Sequence, residues 1–199
     1  MTDYVHVLRT CAADMTSRNG SFRWPEAGLV EAPDWRDDGK CGGGLHGLLR
    51  GEGNGTLLNW DTTARWMVVR VRAADVRDLD GKVKFPRGEV VHVGDRHSAT
   101  AMIVSLHPEA RAIVGYTSMS GGGGTSTSGY RGTSTSGDRG TSTSGEGGTS
   151  TSGDYGTIAI WRYDGRRRRL VVGYVGENNI KPYVAYKLND AGEFVEASK

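Results

Sequence analysis

Threonine returns every eight residues through the middle of this chain, at Thr117, Thr125, Thr133, Thr141, Thr149 and Thr157. Four octads, TSTSGYRG, TSTSGDRG, TSTSGEGG and TSTSGDYG, fill Thr125 to Gly156. Each sets two threonines one residue apart, so Thr125 and Thr127, Thr133 and Thr135, Thr141 and Thr143, and Thr149 and Thr151 form a regular array of hydroxyl groups. The chemistry of such an array is that of a recognition surface. Only two positions per octad vary, and they carry the more assertive side chains: Tyr130 and Arg131, Asp138 and Arg139, Glu146 and Gly147, Asp154 and Tyr155. Turn residues that differ between otherwise identical copies are where a partner is expected to bind.

The other concentrated chemistry is basic. Arg166 to Arg169 follow Asp164-Gly165, a hairpin turn signal, so the cluster reads as a charged strand that guards a sheet edge against aggregation. The alternative is a strip for phosphate or nucleotide, with Arg166 and Arg168 on one side. Across the 199 residues, 25 Lys+Arg against 23 Asp+Glu leave a formal charge of +2, too balanced to point to nucleic acid or a membrane surface. Cys11 and Cys41 stand alone, with no paired spacing and no second Cys/His pair, so neither a metal site nor a cofactor is expected. The start, MTDYVHVLRT, lacks the apolar stretch of a signal peptide, and no apolar run approaches membrane-spanning length. The expectation is a cytoplasmic protein with free thiols.

These residues need elements to position them. Tyr4–Thr10 reads as a strand with Val5 and Val7 on one face, and Arg65–Ala73 as the strongest strand of the first hundred residues. Lys82–Asp95 reads as two short strands joined at Pro86-Arg87-Gly88. Arg96–Pro108 carries Ala99, Met102, Ile103 and Leu106 at helical spacing, with Pro108 just past its end. Trp24, Trp35, Trp60 and Trp66 are expected mostly in the core. Thr157–Tyr163 and Arg166–Tyr174 flank the Asp164-Gly165 turn as a hairpin, and PYVAYKL and EFVEA flank a second turn. The expected fold is mainly β: a small α+β head over 1–114, a short Gly/Ser/Thr-rich β-solenoid over 115–156, and a C-terminal β-hairpin cap over 157–199.

Strict register argues for stacked strands in the octads, because a flexible linker has no reason to keep it. Two octads per coil make a solenoid; one octad per strand makes an antiparallel meander without an apolar core; the Ser/Gly composition also suits a disordered linker. Alternation sends Thr and Ser to opposite sides. Ile158 and Ile160 stand in the serine register and Met119 in the threonine register, so the flanks disagree about the buried side. The reading adopted places Ser inside and Thr outside.

The octads resemble halves of bacterial ice-nucleation repeats, which carry Ala-Gly-x-x-Ser-Thr-x-Thr. The resemblance spans about 40 residues and implies a β-solenoid with a Thr-x-Thr face and stacking into assemblies; it does not itself imply ice nucleation, for which roughly two or three coils are far too few. Separately, CGGGLHGLLRGEGNG at Cys41–Gly55 and RWMVVRVRAADVRDLDGKVKFPRGEVVHVGD resemble an uncharacterised domain of phage and bacterial proteins with a Cys-Gly-x-Gly-Leu-His core, over residues 3–105. GGGLHG and GEVVHVGD are also similar to elements of ADP-ribosyltransferase-like folds. That likeness would make His6 or Arg9, His46 and Glu89 the catalytic set, although His46 replaces the usual aromatic residue. The leading expectation is a non-enzymatic binding or assembly protein, self-associating or gripping another protein or a small nucleotide, with interference in a host cell implied by the phage likeness. A transferase and an ice-binding protein are the alternatives.

Overall fold

The computed structural model describes residues 3–18, 20 and 22–197. It divides into two compact units, Met1–Ala110 and Arg111–Lys199.

The first unit is built on β1 (Tyr4–Cys11), β2 (Gly28–Glu31), β3 (Leu45–Leu49), β4 (Arg65–Arg72), β5 (Arg77–Asp78), β6 (Val83–Phe85) and β7 (Arg87–Gly94), followed by helix α1 (Arg96–Leu106). The strands form one sheet in the order β2-β7-β4-β1-β3-β6-β5, and its named pairings are antiparallel. In β4, Trp66, Met67, Val68 and Val69 are all buried, so this central strand is covered on both faces. Val7, Cys11, Trp24, Leu45, Met67 and Val69 share one core cluster. Alternation sends Leu8 and Val68 to the opposite face, where α1 packs against β1, β4 and β7. Asp95 caps α1 by accepting from the Ser98 amide at 2.7 Å, a stabilisation of about 1 kcal/mol.

Two expectations shift in detail. The buried stripe of α1 is Ala99, Thr100 and Ile103, while Leu106 is exposed. Thr100 takes the inward place because its hydroxyl bonds back to the Arg96 carbonyl at 2.8 Å, which satisfies it without water. Of the four tryptophans expected in the core, Trp24 and Trp66 are buried. Trp35 and Trp60 are half-buried, Trp60 meeting Trp66 edge-on while its Nε1 donates to the Gly55 carbonyl at 2.8 Å.

The second unit contains β8 (Thr117–Met119), β9 (Thr125–Thr127), β10 (Thr133–Thr135), β11 (Thr141–Ser144), β12 (Thr149–Thr151), β13 (Thr157–Tyr163), β14 (Arg168–Tyr174), β15 (Tyr186–Leu188) and β16 (Phe194–Glu196). The octads pair in parallel with the next octad but one. Strand β10 lies between β8 and β12, and β11 lies between β9 and β13. Each pairing is offset by sixteen residues, as in Thr133↔Thr149 and Thr141↔Thr157. This is not the antiparallel neighbour pairing that a meander requires. The strands of this unit form two open sheets, β16-β15-β12-β10-β8 and β14-β13-β11-β9, so the described residues are mainly β, with α1 their one α-helix.

Serine points between these two sheets. Ser126, Ser134, Ser142 and Ser150 are buried, as are Ser128, Ser136, Ser144 and Ser152. Ile158 and Ile160 continue the inner side, and Met119, 76% exposed, continues the outer one. A tight turn separates successive strands, with Gly132 N donating to the Gly129 carbonyl at 3.0 Å and Gly148 N to Gly145 at 3.0 Å. The third turn residue has positive φ every eight positions: Gly123, Arg131, Arg139, Gly147 and Tyr155, as a type II turn demands. Beyond the octads, β14 adds antiparallel to β13, and β15 adds antiparallel to β12 through Ser150↔Tyr186. Ile158, Val175, Ile180 and Tyr186 supply the apolar core there.

Candidate functional site

The threonines occupy the outer faces of the two sheets in straight columns. On one sheet Thr117, Thr133 and Thr149 align, beside Met119, Thr135 and Thr151. On the other, Thr125, Thr141 and Thr157 align, beside Thr127, Thr143 and Ala159. Parallel strands fix the spacing between rows at about 4.8 Å, and two residues along a strand span about 6.6 Å. Each sheet therefore presents a small lattice of hydroxyls and methyls with both periods set by the backbone.

The inner serines tie the two sheets together. Ser144 and Ser150 hydroxyls meet at 3.0 Å and those of Ser136 and Ser152 at 2.9 Å. Ser134 donates to the Thr143 carbonyl at 2.6 Å, and Ser142 to the Ser134 carbonyl at 2.7 Å. A buried hydroxyl without a partner costs about 1–3 kcal/mol, so these bonds decide that serine can fill the interior at all. Ser120, just past β8, and Ser126, in β9, keep buried hydroxyl oxygens with no partner.

The turn residues expected to meet a partner fall into two separate columns. The Tyr130-Arg131 turn stacks on the Glu146-Gly147 turn, with Arg131 N donating to the Glu146 carbonyl at 3.0 Å. The Asp138-Arg139 turn stacks on Asp154-Tyr155 along the other edge, through Arg139 N to the Asp154 carbonyl at 2.8 Å. Arg131 lies over the Tyr130 ring at 5.7 Å. Asp138 is engaged from within: it accepts from the Tyr183 hydroxyl and from Asp154 N, contacts that hold its carboxyl below the usual range. In the basic cluster, Arg166 belongs to the turn, its amide donating to Asp164 at 2.9 Å. Arg168 opens the edge strand β14 opposite Tyr163, and Arg169 pairs with Asp164.

In the first unit, the residues named by the transferase likeness divide between the sheet's faces. The register His6↔Arg70↔Glu89 sets His6 and Glu89 on either side of Arg70, whose guanidinium binds Glu89. His6 Nδ1 meets His107 Nε2 at 3.0 Å. Burial first, and then the His107 and Arg70 charges, lower the His6 pKa. Arg9 lies on the opposite face, in register with Met67, and donates to the backbone carbonyl of His46 at 2.6 Å. His46 Nε2 is buried without a partner. Burial, followed by the charges of Lys82 and Arg9, holds its pKa down to about 4. Cys11 is buried and Cys41 exposed, both free. No group of three potential metal ligands occurs among the described residues, and no helix there is long and apolar enough to cross a membrane.

One surface escaped the sequence reading. Trp161, Tyr163, Leu170, Val172 and Tyr174 are exposed and pair across β13 and β14 on the outer side. They continue the outer face of the sheet that carries the Thr125–Ala159 columns. Their signal is the two-residue alternation that continues outward from Thr157 while Ile158 and Ile160 turn inward.

Comparison with known proteins bears on both units. Residues 5–103 match the model of a family described as a domain of unknown function (DUF7666). The chain is also similar to ice nucleation proteins. It is 47% identical over 103 residues to one from Pseudomonas syringae, an alignment covering 51% of this chain and 9% of that protein. One from Pseudomonas fluorescens is 44% identical over 111 residues, with 53% and 9% covered. The ice nucleation protein InaU of Pantoea ananas is 40% identical over 124 residues, with 61% and 12% covered. The chain thus spans 9–12% of the length of these relatives. They support the resemblance carried by the octads. No solved structure matches.

Proposed function

We propose that the second unit is a short β-solenoid of the ice-nucleation repeat type, and that its Thr-x-Thr faces bind ice by holding water in register. The observation that carries this is the in-register alignment of threonines along parallel strands sixteen residues apart. At each threonine a hydroxyl beside a methyl lets the face anchor a water and order its neighbours over apolar patches. Similarity to ice nucleation proteins favours ice over an unspecified protein partner.

Scale limits the activity. Three rows at about 4.8 Å make each lattice about 10 Å deep, enough to adsorb to a growing crystal and far too small to template one. Full-length protein at high concentration should shape growing ice crystals and give measurable thermal hysteresis. A lysine at both Thr135 and Thr143 should abolish it by breaking each lattice at its centre. Round crystals and zero hysteresis from the unaltered protein refute the proposal.

A second reading, self-association, has its own support. Strands β8 and β9 end their sheets, and the unpartnered Ser120 and Ser126 hydroxyls lie in that first coil. A further coil added there would pair both edges and lengthen the lattice. Sedimentation should show mass rising with concentration; a monomer at all concentrations removes this reading and leaves ice adsorption standing.

A further inference from the structure

We propose that the first unit binds a small oxyanion carried on a flat ring, in the cavity beneath the Gly42–Gly44 turn. The residue that calls for it is Arg9. Strand alternation places Arg9 with Val7 and Cys11, which are buried at the core, so a guanidinium stands where an apolar side chain is normal. It lines a cavity of about 570 Å³ together with Ser17, Phe22, Trp24, Asp34 and Leu45.

Arg9 is well held and poorly neutralised. One terminal nitrogen donates to the His46 carbonyl at 2.6 Å and the other to Ser17 Oγ at 3.3 Å. The Trp24 ring lies 4.6 Å below the guanidinium carbon, and Trp24 Nε1 fixes Ser17 from the other side at 3.2 Å. Nε has no partner. Asp34 makes no ion pair with Arg9 among the described residues, and no carboxylate contributes to the shift of its pKa, which burial lowers to about 10. At neutral pH the group is still a cation, lining the cavity with no carboxylate paired to it among the described residues.

An oxyanion supplies the missing charge, and the planar fork of arginine suits carboxylate and phosphate alike. Arg18 on the cavity wall has the same sign. The cavity lies in the size range of small-molecule sites, well beyond what a bare ion fills. Phe22 and Trp24, edge-to-face at 5.5 Å, give that extra space aromatic walls suited to a flat ring.

Titration calorimetry on the full chain, with benzoate and with adenosine monophosphate as probes, separates the two oxyanion sources. At least one should bind, with amide shifts at Gly42–Gly44 in nuclear magnetic resonance. Adenosine, which lacks the charge, and inorganic phosphate, which lacks the ring, should each bind about tenfold more weakly or worse. Arg9→Lys keeps the charge and the fold but loses the fork, and should weaken binding about tenfold. Phe22→Leu should weaken it while leaving inorganic phosphate unchanged. Absence of binding by both ring-bearing anions, shifts confined to residues away from the cavity, or undiminished affinity in Arg9→Lys would each overturn the assignment.

Discussion

His46 shows how a single side chain ties the stability of the first unit to pH. Its ring titrates near 6.5 in an unfolded chain and at about 4 in the folded one. Between those values the unfolded chain binds the extra proton, so stability rises with pH across the window and is complete above 6.5. His6 shifts in the same direction. Acidification from about pH 7 to about pH 4.5 should therefore destabilise this unit, by about 1–2 kcal/mol once solvent screening of the half-exposed ring is allowed for. Denaturant midpoints measured across that range should fall, and His46→Gln should flatten the slope. Arg9 illustrates what was legible at this scale and what was missed. The alternation of Val5 and Val7 was visible, and carrying it two residues further would have put Arg9 among the core positions. That the cation would also lack a carboxylate partner was not legible, because the neighbours that decide it, Ser17, Trp24 and Asp34, are brought together only by the fold.

The strands and turns of the octads respond to backbone geometry more than to side-chain chemistry. Gly147 has φ of +68°, and Gly147→Ala should cost about 1 kcal/mol in thermal or chemical unfolding. Gly145 is more demanding: an added Cβ would sit 2.4 Å from the Gly129 carbonyl carbon in the preceding coil. Gly145→Ala should then cost about 3 kcal/mol, since backbone must separate from backbone. At this scale the sequence was informative. Repeated TSTS marked the strands, Asp164-Gly165 marked the β13–β14 hairpin, and the helical spacing marked α1. The order β2-β7-β4-β1-β3-β6-β5 was not legible, because local patterning says where a strand is and not which distant strand it joins. The turn columns show the same limit. Four variable pairs looked like one surface in the sequence, and sixteen-residue stacking sorts them onto two edges.

Across the whole molecule, the threonine lattice is incomplete in two places. Met119 and Ala159 hold threonine positions, one on each sheet. Met119, 76% exposed, is the open gap, whereas Ala159 is buried, 3% exposed. Met119→Thr should complete a third exposed Thr-x-Thr row, and if the lattice binds ice, thermal hysteresis should increase in that variant. Unchanged hysteresis, with the unaltered protein active, would move ice contact away from these columns.

The sixteen-residue offset also governs heredity. Near-identical octads invite duplication and loss when their gene is copied. A gain or loss of two octads leaves every parallel pairing, both turn columns and the β14–β16 end unchanged, adding or removing one layer of about 4.8 Å. A gain of one octad moves all preceding strands to the opposite sheet. Copy number can therefore drift in even steps while the fold survives, making the length of this surface a trait that selection can adjust by counting.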